Sequence, residues 1–170
     1  ADRIDEVINT KSSITDAESP KSISNPKGLL VFDHVNFKYP GANENALEDI
    51  NFVAEPGKTT AIIGSTGCGK STLVNLIPRL YDATEGSITL DGENIKNISM
   101  KELRDELGYV PQKGILFSGT IESNIKFGAP EASMDIVKEA AEIAQATEFI
   151  ETKSAKYESP IAQGGTNVSG

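Results

Sequence analysis

The run Gly64-Ser65-Thr66-Gly67-Cys68-Gly69-Lys70-Ser71 carries the strongest chemistry in this sequence. It matches the pattern G-x-x-x-x-G-K-[ST] at every position. Its glycines let successive backbone N–H groups turn toward one point and cradle an anion. A helix that starts there aims its positive end at the same point. Lys70 can reach the β- and γ-phosphates of a nucleotide. The Ser71 hydroxyl can ligate Mg²⁺, with Thr72 beside it. These residues together imply a nucleoside triphosphate with magnesium. The pattern does not choose among kinases, GTPases and ATPases, although the chain has no Asn-Lys-x-Asp guanine reader. Cys68 lies inside the loop. The helix end and Lys70 would favour its thiolate, and an inert small residue in a tight turn fits equally well.

Such a loop needs a strand before it and a helix after it. The apolar run 59–63 is the expected strand, and 71–80 is the expected helix, with Pro78 near its end. Residues 29–35 and 47–54 also read as strands, joined through Tyr39-Pro40-Gly41-Ala42-Asn43. Residues 87–90 form a further strand, followed by the turn signal Asp91-Gly92. Helices are expected over 100–107, 120–127 and 133–146, and a short strand over 109–110. Strands lead and helices follow, so the class is α/β or α+β. At the start, Ile4, Val7 and Ile8 fall at helical spacing. A helix that short must dock or continue a longer one. Residues 10–28, rich in Ser and Pro, read as an extended linker without a core of its own.

Composition narrows the function classes. Lys plus Arg total 16 against 25 Asp plus Glu, a net charge of −9. That balance argues against a nucleic-acid partner, which needs a basic footprint. A single Cys and a single His leave no intrachain disulfide and no multi-Cys or His-rich metal cluster. No apolar run is long enough to span a membrane. The chain opens on Ala1 without a Met or a signal peptide, which suggests a start inside a longer gene product.

Further segments then fall into a recognisable order. They are Phe37-Lys38-Tyr39-Pro40, Gly86-Ser87-Ile88-Thr89-Leu90-Asp91-Gly92, and Leu103-Arg104 followed by Gly108-Tyr109-Val110-Pro111-Gln112. After them come Leu116-Phe117-Ser118-Gly119-Thr120-Ile121 with Asn124-Ile125, and Asn167-Val168-Ser169-Gly170. In this order the chain resembles the nucleotide-binding domain of ATP-binding cassette (ABC) transporters of the exporter type, over residues 29–170. The resemblance implies an α/β P-loop NTPase core with an antiparallel β subdomain and part of a helical subdomain, about 115–170. Residues 1–9 would be the end of the last transmembrane-domain helix, and 10–28 its linker.

Roles follow residue by residue. Tyr39 resembles the aromatic residue that stacks on adenine. Gly64, Ser65, Thr66, Gly67, Cys68, Gly69, Lys70, Ser71 and Thr72 would hold the phosphates. Gln112 resembles the glutamine that contacts Mg²⁺ or the attacking water, so Ser71 and Gln112 would serve the metal. Ser169 resembles the signature-motif serine, which binds the γ-phosphate of ATP held by an opposite nucleotide-binding domain. The implied ligands are ATP and Mg²⁺. The implied partners are a second, identical or different, nucleotide-binding domain and the transmembrane domain, at the cytoplasmic face of the cell membrane. Such a protein would couple ATP hydrolysis to export, multidrug resistance included.

In the family the magnesium Asp, the catalytic Glu and the switch His follow the signature. The expectation is therefore a fragment ending inside the signature and inactive alone. Without those later strands, Ile62 and Ile63 are expected to lie uncovered, and the fragment either self-associates or belongs to a longer protein. His34 reads as a strand-edge residue and not the switch His. The alternative is a degenerate half of a heterodimeric exporter that binds ATP without turnover. ABC proteins of DNA repair or translation are disfavoured by the exporter-type segment.

Overall fold

The structure, a computed structural model, describes residues 2–167. Val168, Ser169 and Gly170, and so most of the signature-like segment, lie outside the described residues. The chain divides into two compact units, Ala1–Tyr109 and Val110–Gly170.

The first unit is built on a four-stranded sheet of order β2-β1-β3-β4. Its strands are β1 (Leu30–Phe37), β2 (Leu47–Ala54), β3 (Glu85–Leu90) and β4 (Glu93–Asn94), and each pairing is antiparallel. Alternation puts Ile88 and Leu90 inward, and in β1 an irregularity between Phe32 and Val35 shifts the phase so that Phe32, Val35 and Phe37 all face inward. They pack with Leu73 and Leu76 of α2 (Lys70–Leu76) and Leu103 of α3 (Met100–Asp105) in one core. Asp91 and Gly92, both with positive φ, make the tight β3–β4 turn that their sequence signals.

His34 departs from its expected place. β1 is a central strand flanked by β2 and β3, so His34 is not at a sheet edge. It sits instead on a bulge, with φ 47 and register shifts toward both neighbours. Gly86 makes the bulge possible. A Cβ there would collide with the His34 carbonyl, and its φ of 75 favours glycine. The bulge turns His34 outward, where Nδ1 lies 2.6 Å from Asp49 Oδ1. The hydrogen bond to Asp49, then the charges of Asp49 and Asp33, raise the His34 pKa above its ordinary value. Hydrogen bonds from His34 and Asn51 lower that of Asp49.

The pair is therefore fully stabilising between the ordinary carboxylate and imidazole values. It weakens as pH rises through the raised His34 value, and again as pH falls through the lowered Asp49 value. The chain has one histidine, so its ring signals titrate without ambiguity. The His34 midpoint in NMR is expected above 6.5, falling toward it in Asp49→Asn. An unchanged midpoint in that variant would rule the pair out.

Two strand expectations are not met. Residues 59–63 and 109–110 join no ladder, and Ile63 and Val110 are each 93% exposed. An apolar run supplies strand propensity, but a strand exists only when a neighbour pairs its N–H and C=O groups. Every described strand is already paired elsewhere. Ile62 and Ile63 are uncovered, as expected.

The linker expectation also changes. Residues 15–23 lie along the first unit as a docked strap. Met100 N–H donates to Asp16 Oδ1, capping α3 alongside Ser99. Lys21 bridges to Ile98 and pairs with Glu93, and Ile23 packs on the core while its N–H reaches Glu102. Buried Arg79 donates to the Thr15 carbonyl and to Asp82. Hydrogen bonds and an ion pair through its backbone and side chains, more than apolar burial, order this polar segment. The helix α1 (Asp2–Asn9) forms as expected, with Ile4 and Ile8 exposed; the Val7 side chain lies outside the description.

The second unit contains β5 (Gly119–Thr120), α4 (Ile121–Ile125), α5 (Met134–Ile143), α6 (Thr147–Glu151) and β6 (Pro160–Ile161). Its core is Ile121, Val137, Ala141, Ile150, Tyr157 and Ile161. β5 pairs antiparallel with β6. No helix among the described residues is long and apolar enough to cross a membrane.

Candidate nucleotide site

The loop 64–69 is anchored at its end by the start of β2. A Cβ on Gly69 would lie 2.9 Å from the Ala46 carbonyl oxygen and 2.8 Å from Leu47 Cδ2, and Gly69 has φ 90. Only glycine fits that approach. Gly69 is also the N-cap of α2 and makes no side-chain cap bond. The Lys70 ammonium donates to the carbonyls of Gly64 at 2.8 Å and Ser65 at 2.7 Å, and lies 3.6 Å from Cys68 Sγ. One cation is thus held at the loop it would share with phosphate. Ser71 is exposed in the first turn of α2. Cys68 is an exposed free thiol.

Tyr39 and the loop meet through α2. The Tyr39 and Thr72 hydroxyls are 2.9 Å apart, and Thr72 is buried. The Thr72 hydroxyl, expected at the phosphates, is engaged by Tyr39. The chain segment carrying Tyr39 returns through Ala46, whose N–H donates to the Phe37 carbonyl. Gly69 lies against that same return. Thus Tyr39, Gly64, Gly69, Lys70, Ser71 and Thr72 are assembled within the first unit. Tyr81, which the motifs do not single out, completes an aromatic cluster with Phe37 and Tyr39. An aromatic residue just past a predicted helix is a weak signal, and sequence spacing does not show that it reaches Tyr39.

Gln112 is an exposed bend residue in the second unit. The segment after it is organised by Asn124. Its side chain accepts from Phe117 N–H at 2.8 Å and donates to the Phe117 and Thr120 carbonyls, each at 2.9 Å. Thr120 and Ser123 form a capping box at the start of α4. These contacts give a physical reason for the spacing of Leu116-Phe117, Gly119-Thr120-Ile121 and Asn124. Nearby, bonds with Lys126 and then Glu158 lower the Glu122 pKa, while sharing a hydrogen bond with Glu122 raises that of Glu158. Ser169 lies outside the described residues.

The ABC transporter family model matches residues 47–170. The chain is 43% identical over 170 residues to "Uncharacterized ABC transporter ATP-binding protein YfiB" of Bacillus subtilis, covering 99% of this chain and 29% of that protein. It is 40% identical over 165 residues to a Staphylococcus aureus protein named "Putative multidrug export ATP-binding/permease protein", covering 97% and 28%. A solved bacterial Atm1-family ABC exporter with ATP bound superposes with a TM-score of 0.92 at 32% identity, covering 99% of this chain and 30% of that one. The chain spans less than a third of the length of these relatives. With the phosphate-loop sequence, the antiparallel sheet beside it and these likenesses in agreement, the chain belongs to the ABC transporter family and has its ATPase fold.

Proposed function

We propose that this chain is the ATP-binding part of an ABC exporter, in which ATP binding and hydrolysis drive export of a substrate across the membrane. The observation that carries the reading is that Lys70, the first residue of α2, and Tyr39, whose hydroxyl bonds to Thr72 of α2, are held by the same helix, one suited to phosphate and one to the base. The donor set fits a magnesium nucleotide. Lys70 is a cation already shared between two loop carbonyls, and Ser71 presents an exposed hydroxyl beside it.

On binding, Lys70 transfers its hydrogen bonds from the Gly64 and Ser65 carbonyls to the β- and γ-phosphates. The backbone N–H groups of 65–70 complete the cradle. Ser71 would hold magnesium, which neutralises charge on the phosphate oxygens when bound. Tyr39 stacks on adenine, which adds affinity with little discrimination between bases. Ser169 would contact nucleotide held by a second nucleotide-binding domain. The transmembrane domain of the same transporter is the other partner, at the cytoplasmic face of the membrane. The relatives' names point to multidrug export as the substrate class.

The test is calorimetry and phosphate release on the 170-residue chain. Mg-ATP binding is expected, with no turnover above background, because the family's catalytic Glu and switch His follow the signature. Steady phosphate release that Lys70→Ala abolishes would overturn the assignment of catalysis to residues beyond this chain. Absence of any ATP binding would overturn the reading itself.

A further inference from the structure

Tyr81 follows α2 in the turn that leads to β3. Its ring centroid lies 5.3 Å from that of Tyr39 at an interplanar angle of 85°, and 5.4 Å from that of Phe37 at 49°. Phe37 lies 4.8 Å from Tyr39 at 81°. Phe37 is 3% exposed at the end of β1, and its carbonyl is tied to Ala46 N–H, so it is a fixed wall. Tyr81 is 36% exposed, too open for a core residue whose only task is burial.

A tyrosine ring has two rotatable angles. Two near-perpendicular neighbours restrict the plane of Tyr39, and the bond to Thr72 Oγ1 restricts its tip. We propose that Tyr81 is a positioning residue for nucleotide binding: together with Phe37 it sets the plane of Tyr39, while Thr72 ties that ring to the first turn of α2. The aromatic platform and the phosphate loop then form one pre-ordered surface. The inference rests on the reading of Tyr39 as the adenine platform.

The consequence is selective. A ring ordered before binding loses less freedom on binding, so affinity rises. That gain belongs to the base and not to the phosphates. Replacing Tyr81 should therefore weaken a ligand that has a base and spare one that has none. A purely structural role for Tyr81 would weaken both alike.

Calorimetry on the full chain with Mg-ATP and with magnesium tripolyphosphate separates these cases. Tyr81→Leu is expected to bind Mg-ATP about 3- to 10-fold more weakly, with tripolyphosphate affinity unchanged. Tyr81→Phe, which keeps the ring, is expected to match wild type for both ligands. Tyr39→Ala is expected to lose about 10-fold or more for Mg-ATP alone. Should Tyr81→Leu not fold, Tyr81→Met is the replacement and carries the same expectation.

Wild-type Mg-ATP affinity in the Tyr81 variant, alongside a weakened Tyr39→Ala, would overturn the positioning role and leave the platform reading standing. Equal losses for both ligands, or a loss in Tyr81→Phe as large as in Tyr81→Leu, would also overturn it. Wild-type affinity in Tyr39→Ala would overturn the platform reading and the proposal with it.

Discussion

Lys70→Ala is expected to weaken Mg-ATP binding by about 10- to 150-fold, a loss of about 1.5–3 kcal/mol of charge-assisted hydrogen bonding. The lysine is the charged donor that the structure holds at the Gly64 and Ser65 carbonyls. Removing it takes away a positive charge where the phosphates would carry the most negative charge. The same change should barely move thermal unfolding, because the two carbonyl bonds are exposed and water can replace the donor. Calorimetry and a melt on the same protein check both halves. Equal ATP affinity in variant and wild type would refute the phosphate role of Lys70. A large drop in melting temperature would mean that the affinity loss reports damage to the fold.

The second large effect is on stability, and it comes from two neighbouring glycines that differ in their surroundings. Gly67 and Gly69 both have left-handed φ, 83 and 90. An alanine in that region costs about 1–2 kcal/mol whatever surrounds it. At Gly67 nothing lies within 4 Å of the added carbon, so that is the whole expected loss for Gly67→Ala. At Gly69 the carbon would press on the Ala46 carbonyl and on Leu47, which is buried. The carbonyl cannot retreat without moving the start of β2, because Ala46 N–H is bonded to Phe37. Gly69→Ala is expected to lose about 3 kcal/mol or more in total. At this chain length each kcal/mol shifts the melting temperature by about 2–4 °C. Gly69→Ala should thus melt several degrees below Gly67→Ala in the absence of nucleotide. Matching melts would mean that the loop does not rest on β2 as the geometry has it.

Much of the site was legible in one dimension because the phosphate loop is local. Its glycines set backbone geometry over a few consecutive residues, and its lysine and serine supply a side-chain charge and hydroxyl within the same run, so the motif is encoded where it lies. The same holds for the Asp91-Gly92 turn, which acts within a few consecutive residues. The helix over Lys70–Leu76 ended earlier than 71–80 because the chain turns at Pro78 and Arg79, where φ is 53.

What tertiary structure decided was whatever depended on a neighbour distant in sequence. Residues 59–63 have the composition of a strand, yet no partner strand lies beside them among the described residues, so no ladder forms. Residues 15–23 have the composition of a free linker, yet Arg79, Glu93, Glu102 and Met100 hold them by hydrogen bonds that no local pattern announces. His34 has the position of a strand residue, yet a bulge across three strands turns it outward onto Asp49. Tyr39 and Thr72 lie far apart in the chain, and only the return of the chain at Ala46 against Gly69 brings their hydroxyls together. Sequence alone determined the phosphate-loop motif and the family it belongs to, because backbone conformation and charge are local properties. The pairing of strands, the docking of the strap and the mounting of Tyr39 came from the folded chain, because hydrogen-bond partners and packing neighbours are chosen in space.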